Sequence, residues 1–193
     1  MAELILASGS PRRREIMNLF GKPFQVVSSD IEEPVVASDP PEVTVMALAL
    51  EKALDVAGKV QPGALVIGAD TLVYCDGYLG KPADAPEAEA MLTRLQGRKH
   101  AVFTGVAIVR AGSDQKVVEA VQTQVSMKPL TPAEIRGYIA TGEPMDKAGA
   151  YAVQGIGSLL VEGIEGDYFN VVGLPVQRLG VLLETHFGYK LMG

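Results

Sequence analysis

Cysteine, histidine and tryptophan are almost absent from this chain of 193 residues, which holds one Cys, two His and no Trp. The lone Cys75 excludes an internal disulfide framework and suits a reducing compartment. His100 and His186 stand far apart with no second cysteine, which excludes a Cys/His zinc cluster. Basic residues are also in deficit: 17 Lys and Arg against 23 Asp and Glu give a net charge of −6. Sequence-independent binding to DNA or RNA needs a basic face, so long nucleic acids are not expected as partners. Long apolar runs are lacking too. Stretches such as 45–50 are the size of a core segment, far below the roughly 20 residues that span a bilayer. The first 14 residues place their apolar run ahead of their arginines, the reverse of a secretory signal. A cytoplasmic protein with no membrane partner is therefore expected.

What is present reads as one α/β domain over residues 1–193, in line with about 150 residues per domain. Leu4–Ala7 reads as a buried strand that enters Ser-Gly-Ser-Pro and then a helix ending near Gly21, with Ser10 at the N-cap. A strand is expected over 24–28. Asp39 and Glu42 form a capping-box pair ahead of a helix of about 17 residues, and Val43, Ala47, Leu50, Leu54 and Ala57 mark its apolar stripe. A short strand over 64–68 is expected to end at Ala69-Asp70-Thr71, followed by a hairpin around Asp76-Gly77. Asp84 with Glu87, and Thr131 with Glu134, open two further helices that Gly97 and Gly142 close. Two longer strands near 101–109 and 116–127 meet at a turn over 111–114. A Gly/Ala-rich segment over 147–157, a hairpin-like stretch and a helix near 175–187 complete the chain. The hairpins force antiparallel pairs, so a mixed sheet is expected.

The most informative segment is Ser8-Gly9-Ser10-Pro11-Arg12-Arg13-Arg14. A strand, a glycine-containing turn and a helix start present N–H groups and the positive end of the dipole. Three arginines in the first turn oppose that dipole by about 0.3–1 kcal/mol each. A docked phosphate would reverse the sign of that interaction, and arginine offers a planar fork of donors for it. The competing reading is a solvated basic helix start. Lys52 shares a helical face with Val45, Leu48 and Val56, so it either snorkels to water or points at a buried anion. Lys81 in Gly80-Lys81-Pro82 is a weaker candidate, and on the residues alone a plain loop lysine is the better reading.

With histidine so scarce, proton transfer or metal holding falls to carboxylates. Asp70, placed at the end of an apolar strand, is the first choice; a turn-forming aspartate is the alternative. Glu32 and Glu33 offer a further oxygen ligand for Mg²⁺, or form an ordinary acidic turn. Within Asp146-Lys147-Ala148-Gly149-Ala150-Tyr151-Ala152-Val153-Gln154-Gly155, small residues allow close approach of a ligand, and Gln154 can read a base edge through its paired donor and acceptor. His100 and Cys75 read as structural.

In this order along the chain, Ser8-Gly9-Ser10-Pro11-Arg12-Arg13, Ile31-Glu32-Glu33, Glu51-Lys52-Ala53, Gly68-Ala69-Asp70-Thr71, Gly80-Lys81-Pro82, the segment from Gly142 to Gly155 and Asn170-Val171-Val172-Gly173-Leu174-Pro175 resemble the Maf family of nucleoside triphosphate pyrophosphatases. The resemblance implies hydrolysis of a nucleoside triphosphate to the monophosphate and pyrophosphate with a divalent metal, Mg²⁺ or Mn²⁺. It also implies an inosine-triphosphatase-like α/β fold with a mixed, curved sheet and two lobes around a cleft. Asp70 matches the family's proton acceptor. Arg12, Thr71 and Gln154 match positions tied to base selectivity, and Ser8, Arg13, Lys52 and Lys81 match the phosphate-handling set. Glu33, with Asp70, matches the metal side. Asp70-Thr71 and the segment from Asp146 to Gln154 are similar to the branch acting on dTTP and UTP. The branch acting on 7-methyl-GTP, or a regulator of septum formation and cell division that binds nucleotide without turnover, are the alternatives. Two letters depart from the pattern: Ala152, where glycine is expected, and Arg14, where an uncharged polar residue is common. A homodimer is compatible with the resemblance.

Overall fold

A computed structural model of the chain describes residues 2–31 and 39–192. Strand β1 (Leu4–Ala7) is buried along its length, lying parallel to β2 (Phe24–Val26) on one side and to β3 (Leu65–Tyr74) on the other. Strand β3 continues antiparallel to β5 (Lys99–Arg110), β5 to β6 (Lys116–Met127), and β6 to β7 (Val161–Glu165). The short β4 (Tyr78–Leu79) folds back on the far end of β3. The result is a seven-stranded mixed sheet in the order β2-β1-β3-β5-β6-β7, with β4 beside β3. No described helix is long and apolar enough to cross a membrane.

Helices cover both faces, and strand periodicity decides what meets them. On one face Leu4, Leu6, Leu65, Ile67, Val106 and Ile108 pack with α1 (Pro11–Asn18) and α6 (Val176–Phe187). On the other, Ile5, Ala7, Val66, Ala107 and Val109 pack with Ala49, Ala53 and Val56 of α2 (Pro41–Ala57). A second large core gathers α3 (Ala85–Leu95), α4 (Pro132–Ala140) and the 3₁₀ turns after α4 around the far half of the sheet, through Val73, Leu92, Val102, Val125 and Tyr138. A cleft opens between the two.

The capping pairs at α3 and α4 form as the sequence predicts: Asp84 accepts the Glu87 N–H at 2.9 Å, and Thr131 and Glu134 make a reciprocal capping box. Four expectations need correction. First, β3 does not end at Gly68; it runs on through Asp70 and Thr71 to Tyr74, because β5 pairs with it residue by residue over that whole length. Second, the buried face of α2 is Thr44, Val45, Leu48, Ala49, Lys52, Ala53 and Val56, while Val43 and Leu54 are exposed. Apolar residues occur nearly all round this helix, and contact with the sheet, not spacing, selects the face.

Third, Ser10 takes the N-cap position of α1 as expected, though its side chain makes no capping bond, whereas Asp39 is not the cap of α2. Helix α2 starts from Pro40, and the Asp39 carbonyl instead accepts the Tyr78 hydroxyl. Fourth, the hairpin-like stretch is the single strand β7 followed by a short helix, α5 (Tyr168–Val172), capped by Asp167.

Helix α2 approaches the sheet at two glycines. A Cβ on Gly68 would lie 2.2 Å from the Ala49 carbonyl oxygen, and one on Gly105 2.1 Å from that of Val45. Backbone on both sides leaves no flexible group to yield. We therefore expect Gly68→Ala or Gly105→Ala to cost about 3 kcal/mol, lowering the melting temperature by roughly 6–12 °C. A thermal melt within 2 °C of the parent would show that the helix can move away freely.

Candidate active site

Strand β1 stops at Ala7, opposite Gly68, and β4 begins pairing only at Val73. Between them, residues 69–72 of β3 have a strand partner on the β5 side alone. This gap in the edge of β3 opens into a cleft of about 500 Å³. Period-two alternation then sends Asp70 and Thr71 to opposite faces of the sheet. Both line the same cleft, which reaches around the strand.

On the α2 face, Lys52 and Asp70 are 8% and 6% exposed, and the Lys52 ammonium donates to Asp70 Oδ1 at 2.7 Å. The lysine therefore meets a carboxylate and does not snorkel. Breaking such a buried pair by removing one partner costs about 3–5 kcal/mol.

On the opposite face, three contacts among the described residues fix Arg13. Its Nε donates to the Gly173 carbonyl at 2.7 Å, one terminal nitrogen to Ser8 Oγ at 3.2 Å and the other to Thr71 Oγ1 at 3.1 Å. Thr71 in turn shares a hydrogen bond of 2.9 Å with Thr104, directly across on β5, whose hydroxyl donates to the Asn170 carbonyl. The Asn170 amide donates to the Val102 carbonyl and to Thr123. Thr104, Thr123 and Asn170 are at most 1% exposed, so a buried polar chain fixes the guanidinium from behind.

At the mouth, Arg12 donates to Asp146 at 3.2 Å, and Lys147 also meets Asp146. Burial raises the Asp146 carboxyl, but Lys147 and Arg12 outweigh it and hold the group below its ordinary value. Ser8, Arg12, Arg13, Lys52, Asp70, Thr71, Lys81 and Gln154 all line this one cleft. Glu33, with Glu32, lies outside the described residues. Arg14 is exposed and away from the cleft, and Ala152 does not adopt the left-handed backbone that would call for glycine. Among the described residues no group of three or more His, Cys, Asp or Glu gathers as a ready-made metal site.

The Maf family model, described as Maf-like protein, matches residues 3–186. This chain belongs to the Maf family. Among curated relatives of this Maf chain, a dTTP/UTP pyrophosphatase of Moorella thermoacetica is 52% identical over 194 residues, covering 100% of this chain and 99% of that protein. One from Caldanaerobacter subterraneus subsp. tengcongensis is 51% identical, over 99% of this chain and 92% of its own length. Among solved structures, a HAM1 protein from Coxiella burnetii gives a TM-score of 0.47 at 16% identity, over 66% of this chain and 73% of its own.

Sequence reasoning gave no role near the cleft to the pair His100 and Tyr151. Tyr151 lines the cleft, and its hydroxyl meets His100 Nε2 at 2.8 Å behind it. The only sequence signal is a lone histidine at a strand start, which does not reveal a partner 51 residues away. Burial, then the nearby Arg98 charge, lowers the His100 pKa from 6.5 to about 4. The folded protein therefore refuses a proton that the unfolded chain accepts below about pH 6.5. Stability from this group is complete above pH 6.5 and is lost as the pH falls towards 4. His100→Gln should remove that dependence. The difference in unfolding free energy between parent and variant should shrink by about 2–3 kcal/mol between pH 7 and pH 4.5 in denaturant titrations. A constant difference would show that His100 is not held neutral.

Proposed function

We propose that this chain is a pyrophosphatase that hydrolyses dTTP and UTP to the monophosphate and pyrophosphate. The observation that carries the reading is the cleft. It brings a buried carboxylate, a fixed guanidinium, two lysines and the Gln154 amide together around one gap in the sheet edge. Curated relatives about half identical over their whole length carry the name dTTP/UTP pyrophosphatase, which supports the choice of substrate.

Each residue has a task in this reaction. Arg13 and Lys81 hold the phosphate chain with charge-assisted hydrogen bonds, and Ser8, bonded to Arg13, closes that side. Because the guanidinium is already fixed by Gly173, Ser8 and Thr71, little reorganisation is needed when phosphate binds. Water attacks the α-phosphorus, the bridging oxygen leaves with pyrophosphate, and Asp70 accepts the water's proton. Lys52, donating to Oδ1, orients that carboxylate. Arg12, Thr71 and Gln154 select the base. Asp70 and Glu33 would hold Mg²⁺ or Mn²⁺ together with phosphate oxygens and water, an all-oxygen donor set that suits either ion. A bound ion would supply charge neutralisation at the phosphates. The same reading places the enzyme in the cytoplasm, where its substrates are made, and accommodates a homodimer.

Pyrophosphate release from UTP, dTTP, CTP, GTP and 7-methyl-GTP with Mg²⁺ tests the proposal. UTP and dTTP should lead the panel. Asp70→Asn should still fold, with its melting temperature lowered by roughly 6–20 °C through the broken buried pair, and lose at least about 100-fold in kcat when assayed below that transition. Tight binding of every triphosphate with no turnover would instead favour the non-catalytic regulator, and full activity of Asp70→Asn would remove the base from Asp70. Chelation with EDTA should abolish turnover and added Mg²⁺ or Mn²⁺ restore it; activity that survives chelation would exclude the metal requirement.

A further inference from the structure

Gln154 is exposed, so its reach into the cleft depends on how the chain around it is held. Two residues before it, the Ala152 N–H donates to the Tyr138 hydroxyl oxygen at 3.2 Å. Two and three residues after it, the N–H groups of Ile156 and Gly157 donate to Glu143 Oε2 at 3.0 Å and Oε1 at 2.8 Å. The Tyr138 hydroxyl itself donates to Glu143 Oε1 at 2.8 Å, joining the two attachments into one cross-link. Tyr138 belongs to α4 and Glu143 opens the 3₁₀ turn Glu143–Asp146; neither lines the cleft.

The backbone is shaped around this cross-link. Gly155 has a φ of +63°, and a Cβ there would lie 2.5 Å from Glu143 Oε2. A Cβ on Gly157 would lie 2.6 Å from the Tyr138 hydroxyl and 2.3 Å from the Ala152 carbonyl oxygen. Both positions need glycine because the carboxylate and the phenol occupy the space. Burial raises the Glu143 carboxyl, but the Gly157 N–H, the Tyr138 hydroxyl, the Ile156 N–H and the Lys147 charge together hold it below its ordinary value. Both oxygens of this carboxylate are taken by donors from the chain, and the proposed reaction gives it no role.

We propose that Glu143 and Tyr138 are positioning residues for base selectivity: they clamp the chain on both sides of Gln154 and so set where its amide meets the base. The inference rests on the pyrophosphatase reading, in which Gln154 reads the base. Uracil and thymine present a donor at N3 and an acceptor at O4, whereas cytosine presents an acceptor at N3 and a donor at N4. A glutamine amide can turn over about its own last side-chain bond to serve either pattern, so what the segment sets is the distance and angle at which that amide meets the base. On a fixed segment, with the phosphates held elsewhere in the cleft, its approach is restricted to one geometry.

Glu143→Gln and Tyr138→Phe in the full chain test this. Glutamine puts an NH₂ where one carboxylate oxygen was and leaves a backbone N–H without its acceptor; phenylalanine removes the link to Ala152. For both variants, the ratio of kcat/KM for UTP over CTP should fall about 10-fold, mainly through a higher KM for UTP. Hydrogen exchange at the Ile156 and Gly157 amides in the first variant, and at Ala152 in the second, should speed up at least about 10-fold. Inhibition by inorganic tripolyphosphate, which carries phosphates and no base, should stay within twofold of the parent.

Faster exchange with an unchanged UTP-to-CTP ratio would overturn the proposal, leaving a clamp that only stabilises the turn. Equal losses towards UTP, CTP and tripolyphosphate would overturn it as well. If the parent releases pyrophosphate from no triphosphate, the pyrophosphatase reading fails. The clamp is then judged by the ratio of UTP to CTP affinity in calorimetry, which should fall about 10-fold in the variants and overturns the inference if it does not move. Should one variant fail to fold by circular dichroism, the other decides.

Discussion

Backbone contact between helix α2 and two α-carbons of the sheet underlies the catalytic half of this molecule. Gly68 and Gly105 leave no side chain between helix and strands, so α2 settles onto β3 and β5 at a distance that no other residue would permit. Lys52 lies within this contact, between Ala49 and Ala53, and so reaches Asp70 at 2.7 Å where both side chains are nearly buried. A wider spacing would let the lysine turn to water, which is where long cationic side chains ordinarily go. The glycines thus do electrostatic service without bearing any functional group: they set the depth at which a charge pair is buried.

The other face of the sheet is organised by hydrogen bonds between uncharged groups. Thr71, Thr104, Asn170 and Thr123 connect Arg13 to the interior through hydroxyls and an amide. Such a chain costs little in desolvation compared with a second buried ion pair and still restricts the guanidinium to one orientation. The cleft therefore has a charged wall and a hydrogen-bonded wall, with a single strand between them.

Much of this was legible in the residues themselves. The strand of Leu4–Ala7, the caps of Asp84 and Thr131 and the long antiparallel pair β5–β6 are local patterns, and each forms. The arginines after Ser8 read as a phosphate site, and Arg12 and Arg13 line the cleft; the apolar setting of Lys52 leaves water and a buried anion both open, and the fold gives it Asp70. Three features were hidden for a common reason. Asp70 looks like the end of a strand because a carboxylate rarely continues one; its place inside β3 depends on Gly105, far along the chain. The buried side of α2 depends on which of two apolar stripes meets the sheet. Glu143 and Tyr138 look like ordinary helix-end residues, and only the return of the chain at Ala152 and Ile156 gives them a task. Local chemistry shows in the letters, whereas pairings across long separations do not.

The placement of Asp70 and Thr71 on opposite faces of β3 has a consequence for how such a chain can change over time. Adding or deleting one residue between Gly68 and Asp70 would turn every later side chain of β3 over, exchanging the two walls of the cleft. Asp70's position would face the threonine chain and Thr71's would face Lys52. Substitution can tune this site residue by residue, but length variation in this strand cannot, and loops away from it are where the chain is free to grow.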